Sequence, residues 1–413
     1  MAPTAGSVGP SLTNSPGLGG LTNEERLLRE TAREFAQREI VPGAIERDEA
    51  ERFDRSLFGR MGELGLTAAP LPESIGGAGF SYLGWALVME ELGAAEMASA
   101  VTLSVHILSQ YPVVTFGSEE QHRDWLGPML AGEALGAFCL TEPLAGSDAG
   151  ALRMRAVRLD AAGAELPAGA PVADVAAYRL NGTKIWITNA PEADRYLVFA
   201  TIDLALGPKG ITAFLVEKGT EGFGFGAHEK KMGIRSCPAA ELILDGAVVP
   251  VSRRLGDEGQ GYKIALSALA EGRISIAAAC VGLARSATEQ AAGYLHQRSA
   301  FGAPLAELQG LRFMVAEMAR EVAAARALTH EAARAKDRGE PIGELSSLAK
   351  WTASDAAMRV TTDAIQLFGA SGYSRETGVE RLMRDAKGAQ IYEGTNQVHR
   401  VIVADAVMER ARS

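Results

Sequence analysis

Glu393 lies in the run Ile391-Tyr392-Glu393-Gly394-Thr395-Asn396-Gln397, where a carboxylate precedes a glycine turn into a helix. That order sets an acid or base on a loop tip, with Thr395 able to cap the helix behind it. A carboxylate so placed can move a proton. It can equally be a solvated turn residue favoured by the helix dipole. A second run, Phe138-Cys139-Leu140-Thr141-Glu142-Pro143-Leu144-Ala145-Gly146-Ser147-Asp148, opens as a strand and ends in small residues and hydroxyls. Thr141 and Ser147 can donate hydrogen bonds there, and Gly146 lets a ligand approach the backbone. In Trp186-Ile187-Thr188-Asn189, alternation puts Trp186 and Thr188 on one strand face. An indole beside a hydroxyl can cover a flat ring and reach its edge, or can be an ordinary core Trp. Arg298-Ser299-Ala300-Phe301-Gly302, with Gln309 beyond, sets a guanidinium beside a glycine turn. That suits a diphosphate or plain solvent.

Other chemistries lack their residues. There is no G-x-x-x-x-G-K-[ST], and no G-x-G-x-x-G between a strand and a helix. No H-E-x-x-H occurs, the six histidines are scattered, and no metal is expected. Cys139, Cys237 and Cys280 form no C-x-x-C pair, so they read as reduced core thiols of a reducing compartment.

The motifs need elements to hold them, and the chain reads as α, then β, then α. The expected class is an α+β multidomain protein with a helical domain over 21–135, a β-domain over 136–250 and a helical bundle over 251–413. Thr22-Asn23-Glu24-Glu25 is a capping box that opens a helix to residue 40, where Pro42-Gly43 should stop it. Further helices are expected over 54–66, 81–92 and 95–109, and from the second capping box, Ser118-Glu119-Glu120-Gln121, to about residue 131. In the middle third, Asn181-Gly182 between two β-type runs predicts a hairpin. Strands are expected over 195–202 and 211–216, and a long surface loop over 161–177. In the last third a helix is expected over 262–297. Met314, Met318, Val322, Ala325 and Leu328 make one apolar helix face. Leu345, Leu348, Val360 and Leu367 suggest another, and residues 396–412 a fourth helix, so the four form a bundle. Strand and helix do not alternate, which argues against a doubly wound nucleotide fold.

With 413 residues, Lys plus Arg is 41 and Asp plus Glu 51, a net charge of −10. That argues against nonspecific nucleic-acid binding and adhesion to anionic membranes. No apolar run predicts a membrane span. Residues 1–20 hold no Lys or Arg, so neither a secretory nor a transit signal fits. They read as a disordered tail of a cytoplasmic protein.

Together, in this order on an α-β-α chain, the four motifs resemble the acyl-CoA dehydrogenase family. The resemblance spans residues 22 to 412 and is nearest to short- and branched-chain bacterial members. It implies an acyl-CoA dehydrogenase-like fold with FAD held without a Rossmann domain. Phe138, Leu140, Thr141, Gly146 and Ser147, with Trp186, Ile187 and Thr188, would enclose the flavin ring. Arg298, Phe301 and Gln309 would reach the FAD of a neighbouring subunit. Gln366, Gly369 and Ala370, with Thr395 and Gln397, would complete the site. Such sharing implies a homo-oligomer, a tetramer built as a dimer of dimers.

The resemblance also gives Glu393 its task. It would take the α-proton of an acyl thioester while the β-hydrogen leaves as hydride to the flavin, giving a trans-2-enoyl thioester. The thioester carbonyl would accept from the Glu393 N–H and from a ribityl hydroxyl, with Gly394 permitting that approach. A low-dielectric pocket should raise the Glu393 pKa toward neutrality. Arg273 would lie near the CoA end of the substrate, and Ser147 where pantetheine and flavin meet. An electron-transfer flavoprotein would take the electrons.

The chain also departs from the family. Some members carry the base at the position of Gly272. Glu271 is adjacent, but one residue turns a helix by about 100°, so it should point elsewhere. Ala270 stands where an acid often contacts the CoA end. The 161–177 loop is longer than usual, which admits an acyl-carrier-protein thioester as substrate. Ala389 leaves room for a branched or longer chain. An O₂-using oxidase or monooxygenase, and a non-catalytic assembly protein, are the remaining alternatives.

Overall fold

The computed structural model describes residues 20–167 and 169–412. The tail expected over 1–20 therefore lies outside the described residues, Gly20 apart. Thr22 opens α1 (Asn23–Phe35) with the expected capping box: its N–H donates to the Glu25 carboxylate at 2.8 Å, and its Oγ1 accepts from the Glu25 N–H at 3.1 Å. Pro42 does not stop this path. A π-helical turn (Ala36–Ile40) and a 3₁₀ turn (Val41–Gly43) lead into α2 (Ala44–Glu49). Proline near the start of a turn forfeits a donor that has no partner there, so the chain bends and goes on.

Next come α3 (Arg55–Glu63), capped by Asp54, and α4 (Tyr82–Ala95), capped by Ser81. After these follow α5 (Met97–Phe116), α6 (Glu119–Gln121) and α7 (Gly127–Leu130). The sheet contains β1 (Gly136–Cys139), β2 (Arg155–Leu159), β3 (Ala177–Thr188), β4 (Arg195–Thr201), β5 (Ile211–Glu217), β6 (Phe223–His228), β7 (Ala239–Pro250) and β8 (Arg254–Leu255). Its order is β6-β7-β3-β2-β4-β5-β8, and β1 joins β4 in parallel.

The hairpin expected at Asn181-Gly182 is not formed. β3 runs straight through it, antiparallel to β7, with a register slip between Leu180 and Asn181. Gly182 has φ +148°, and a Cβ there would stand 3.0 Å from the Met154 Cα. Asn181 Oδ1 accepts from the Gly246 N–H at 2.8 Å, a donor the slip removes from the ladder. The dipeptide marks a bulge under a tight backbone contact.

The last third contains α8 (Gly261–Gln297), a short ribbon of β9 (Ser299–Ala300) and β10 (Ala303–Pro304), α9 (Gln309–Asp337) and α10 (Gly343–Phe368). It ends with α11 (Ala370–Tyr373), α12 (Val379–Ala389) and α13 (Asn396–Arg410). α8 packs on α9 and α10, while α10 also carries α12 and α13. α8 also packs on α4 and, less extensively, on α5 of the first third, so the two helical regions share one core. That is why α8 is apolar around most of its surface. α5 and α8 are long and apolar enough to cross a membrane, but 89% and 78% of those stretches are buried inside the protein.

Close approach of α4 and α8 depends on glycine. A Cβ on Gly93 would overlap the Ala279 carbonyl, and one on Gly282 would overlap the Glu90 carbonyl. Buried ion pairs flank this contact. Glu90 meets Arg326 at 2.7 Å and Arg285 at 3.2 Å, and Glu91 meets Arg285 at 2.6 Å and Arg29 at 2.8 Å. The pairs join α1, α4, α8 and α9. Gly282→Ala is expected to cost about 1–3 kcal/mol through overpacking. The readout is a lower urea midpoint at unchanged slope; an unmoved midpoint would show that the helices can part freely.

Candidate active site

α12 ends at Ala389, and a short turn leads to α13, whose first N–H groups are capped by Thr395. Thr395 Oγ1 accepts from the Val398 N–H at 3.3 Å, and the Asn396 N–H donates back to the Gln390 carbonyl at 3.1 Å. Inside the turn Glu393 has φ +53° and Gly394 φ +90°. A left-handed non-glycine residue is uncommon and marks an imposed geometry. Its effect is to turn the Glu393 side chain inward.

The expected loop-tip carboxylate is therefore corrected. The residue keeps some exposed surface, but both carboxylate oxygens are buried and have no hydrogen-bond partner among the described residues. Gly272 on α8 makes the space. A Cβ there would stand 2.6 Å from Glu393 Oε2 and 3.1 Å from Leu108 Cδ1. Burial raises the Glu393 pKa to about 7, against the opposing pull of Lys350 and Arg273. Glu271 points elsewhere, as the helix geometry requires: it pairs with Lys336, whose Nζ also donates to Tyr111 Oη at 2.7 Å.

Two cations face the carboxylate. Arg273 is buried, and its Nη1 donates to Ser347 Oγ at 3.2 Å. Burial lowers its pKa, and the Glu393 charge raises it. Lys350 is fully buried on α10; its Nζ donates to the Gly394 carbonyl at 2.7 Å and to Asn396 Oδ1 at 3.2 Å. Burial pulls this ammonium down to about 8. His399, also fully buried, has neither ring nitrogen paired among the described residues. Burial holds it near 3, hence neutral, and a Cβ on Gly394 would stand 3.1 Å from its Cε1. Reasoning from the sequence missed Lys350, Ser347 and His399. One signal was present for Lys350: it falls on the small-residue stripe Ser346, Lys350, Ala353, Ala357, Thr361, at helical spacing on a buried face.

The 138–148 loop and the end of β3 lie side by side. The Ile185 N–H donates to the Thr141 carbonyl at 3.0 Å. Lys184, fully buried, donates to the Leu140 carbonyl at 3.0 Å and to Glu142 at 2.7 Å. Glu142 in turn accepts from the N–H groups of Arg153 at 2.6 Å and Met154 at 3.0 Å. Phe138, Leu140 and Ile187 are buried, whereas Gly146 and Ser147 are exposed, with open space around Gly146. Trp186 and Thr188 face outward with Ile187 buried between them, as alternation predicts, although Trp186 sits at a register slip with φ +58° and is 56% exposed. Thr188 is partly exposed. An exposed indole flanked by the hydroxyl residues Thr141 and Thr188 suits a flat conjugated ring with polar edges.

This ridge is tied to the carboxylate side. The Asn189 N–H donates to Pro238, the Cys237 N–H to Ile234, and the Ile234 N–H to Asp385 on α12, the helix that leads to Glu393. The remaining predicted residues gather elsewhere. Arg298 ends α8, about 37 Å from Arg273 at ~1.5 Å per residue. There Arg298 and Gln309 are exposed. Phe301 is 95% exposed, in a two-residue turn with φ +53° and +85°. Gln366, Gly369 and Ala370 are exposed at the same end, because Phe368 stacks on Tyr294 of α8 at 4.2 Å. Thr395 is committed to its cap and Gln397 is exposed.

Three family descriptions match the chain in order. They are the acyl-CoA dehydrogenase N-terminal domain over 22–133, its middle domain over 137–247 and its C-terminal domain over 259–408. An acyl-CoA dehydrogenase of Bacillus subtilis is 42% identical over 93% of this chain and 98% of its own length. The solved butyryl-CoA dehydrogenase of Megasphaera elsdenii is 41% identical, with a TM-score of 0.89 over 94% of this chain and 99% of that one. The prolyl acyl carrier protein oxidase AnaB is 30% identical, with a TM-score of 0.87 over 94% and 99%. This chain belongs to the acyl-CoA dehydrogenase family, and it is an FAD-dependent oxidoreductase that dehydrogenates acyl-CoA.

Proposed function

We propose that Glu393 is the base of this reaction and that the substrate is a short acyl-CoA. The carrying observation is a buried carboxylate with no hydrogen-bond partner among the described residues, turned toward a space that Gly272 leaves open. Desolvation brings its proton affinity to about 7, where it can accept an α-proton and release it again at neutral pH. The Glu393 N–H donates to the thioester carbonyl, which acidifies the α-carbon. Gly394 lets the carbonyl approach that N–H. The nearby charge of Arg273 and Lys350 favours the ionised carboxylate, the form that can accept the proton.

The exposed indole of Trp186 and the hydroxyls of Thr141, Ser147 and Thr188 fit the ring of FAD, with Phe138, Leu140, Gly146 and Ile187 forming its bed. Bound FAD supplies the acceptor for the β-hydride. Arg298, Phe301 and Gln309, with Gln366, Gly369 and Ala370, lie at the far end of α8, too distant to share that ring. They serve the FAD of a second subunit in a homotetramer, with Thr395 and Gln397 finishing the pocket at the base. An electron-transferring flavoprotein takes the electrons in the cytoplasm. Relatives named for CoA esters share 41–42% identity, against 30% for the carrier-protein oxidase, which favours CoA.

The test is anaerobic bleaching of the purified yellow protein by butyryl-, isobutyryl-, 2-methylbutyryl- and octanoyl-CoA. Rapid bleaching by a short ester is expected, and Glu393→Gln should slow it by roughly 10²–10⁴-fold. An undiminished mutant would overturn the assignment of the base. Bleaching by a carrier-protein thioester alone would overturn CoA. The pH profile is a second check. Only the ionised carboxylate accepts a proton, so kcat/KM should fall about tenfold per unit as pH drops below about 7, and level off above it. A flat profile from pH 5 to 8 would exclude Glu393 as the titrating base.

A further inference from the structure

Lys350 is a fully buried cation whose charge acts on Glu393, but whose hydrogen bonds the reaction, as described, leaves without a task. Its Nζ grips the Gly394 carbonyl at 2.7 Å, one residue beyond Glu393, and Asn396 Oδ1 at 3.2 Å, at the start of α13. Asn396 is itself fixed to α10, its Nδ2 donating to Ser354 Oγ at 3.0 Å and to Asp355 at 2.8 Å. One turn of α10 therefore clamps the chain on both sides of the Gly394–Thr395 peptide. Between that clamp and the end of α12 lie the two left-handed residues, Glu393 and Gly394.

We propose that Lys350 is a positioning residue for the base. Its ammonium holds the Gly394 carbonyl, and so keeps Glu393 in the backbone conformation that aims its carboxylate at the Gly272 gap. The proposal rests on Glu393 being the base. Without the ammonium, the Gly394 carbonyl would be left without its buried donor, which is costly. The loop would then relax out of its strained conformation. Its charge acts as well. The groups facing Lys350 are Cys280 and Arg273 from α8, Asp355 on its own helix, Glu393 on the loop, and Asn396 and His399 from α13. Burial keeps the Cys280 thiol protonated and His399 neutral. Asp355 is engaged by Trp351, Gln390 and Asn396. Glu393, whose carboxylate has no hydrogen bond among the described residues, is thus the anion most dependent on the Lys350 charge.

Hydrogen bond and charge can be separated by comparing Lys350→Met with Lys350→Gln in the FAD-loaded enzyme. Flavin bleaching by butyryl-CoA is followed across pH, alongside the melting temperature. Lys350→Met is expected to lower kcat about 100-fold, the scale of a 1 Å misplacement, with KM little changed. Its acid limb should move up by about one pH unit, because a neighbouring cation has been lost. Lys350→Gln retains a donor for the Gly394 carbonyl. It should recover kcat to within about tenfold while its acid limb stays displaced. A lowered melting temperature with the limb unmoved in both variants would reduce Lys350 to a structural role and overturn the proposal. So would wild-type kcat in Lys350→Met. Glu393→Gln run in parallel separates the two readings. If it bleaches normally, the base assignment has failed; if it is inactive while both Lys350 variants behave as wild type, only the inference about Lys350 has failed.

Discussion

The rest of the structure depends on a carboxylate held away from water with no hydrogen-bond partner among the described residues. Folding raises the Glu393 pKa from about 4.5 to about 7. For an acid shifted upward, the cost to stability is absent below the lower value and complete above the higher one. At 1.36 kcal/mol per unit, that cost is about 3 kcal/mol above pH 7. This is a large fraction of the stability of an ordinary domain. The carboxylate can be retained only because other contacts offset it. Those contacts lie on α8, which supplies both the gap at Gly272 and the packing that keeps the gap from collapsing.

α8 is long, and each of its stretches has a separate task. In its first half, Gly272 and Arg273 border Glu393. Ser275 accepts the indole N–H of Trp85 at 2.8 Å, which fixes α8 against α4 one turn later. Gly282 then lets the two backbones meet, and Arg285 enters the buried ion pairs with Glu90 and Glu91. Breaking one such pair leaves a charge buried without its partner, which costs several kcal/mol. The helix can therefore neither rotate nor slide by a residue. A one-residue turn would bring Glu271 toward Glu393 and Gly272 away from it. The register of α8 is held by contacts far from the chemistry, but its consequence is felt at the carboxylate.

Features that depend on adjacent residues were legible in the sequence. Both capping boxes form, because the partners of each are three residues apart. The apolar faces of α9 and α10 follow from helical spacing. The four motifs suffice for the family and the order of its three regions. Features that depend on a distant strand or helix were not legible. Asn181-Gly182 carries a hairpin signal, yet Met154 and Gly246 across the sheet decide that it is a bulge. The inward turn of Glu393 depends on the missing side chain at Gly272, 121 positions earlier. Lys350 lies on a buried stripe, but its use becomes visible only when the Gly394 carbonyl is folded onto it.

Backbone strain follows the same division. Among the described residues, six non-glycine residues have positive φ, and four of them are Trp186, Asn189, Ile234 and Glu393. Trp186 is the exposed indole on the ridge, and Asn189 ends that strand, its Nδ2 donating to the carbonyls of Thr102 and Gly136 at 3.1 Å. Ile234 connects the sheet to α12, and Glu393 follows α12. Hydrogen bonds from Asn189 to Pro238, from Cys237 to Ile234 and from Ile234 to Asp385 run between Asn189, Ile234 and α12. Strain of this kind costs of order 1–3 kcal/mol per residue and persists only where the surroundings over-determine it. Here the surroundings are the Lys184–Glu142 pair on one side and the Lys350 clamp on the other. Two buried lysines, each bonded to a backbone carbonyl and to a second oxygen acceptor, brace the two strained edges.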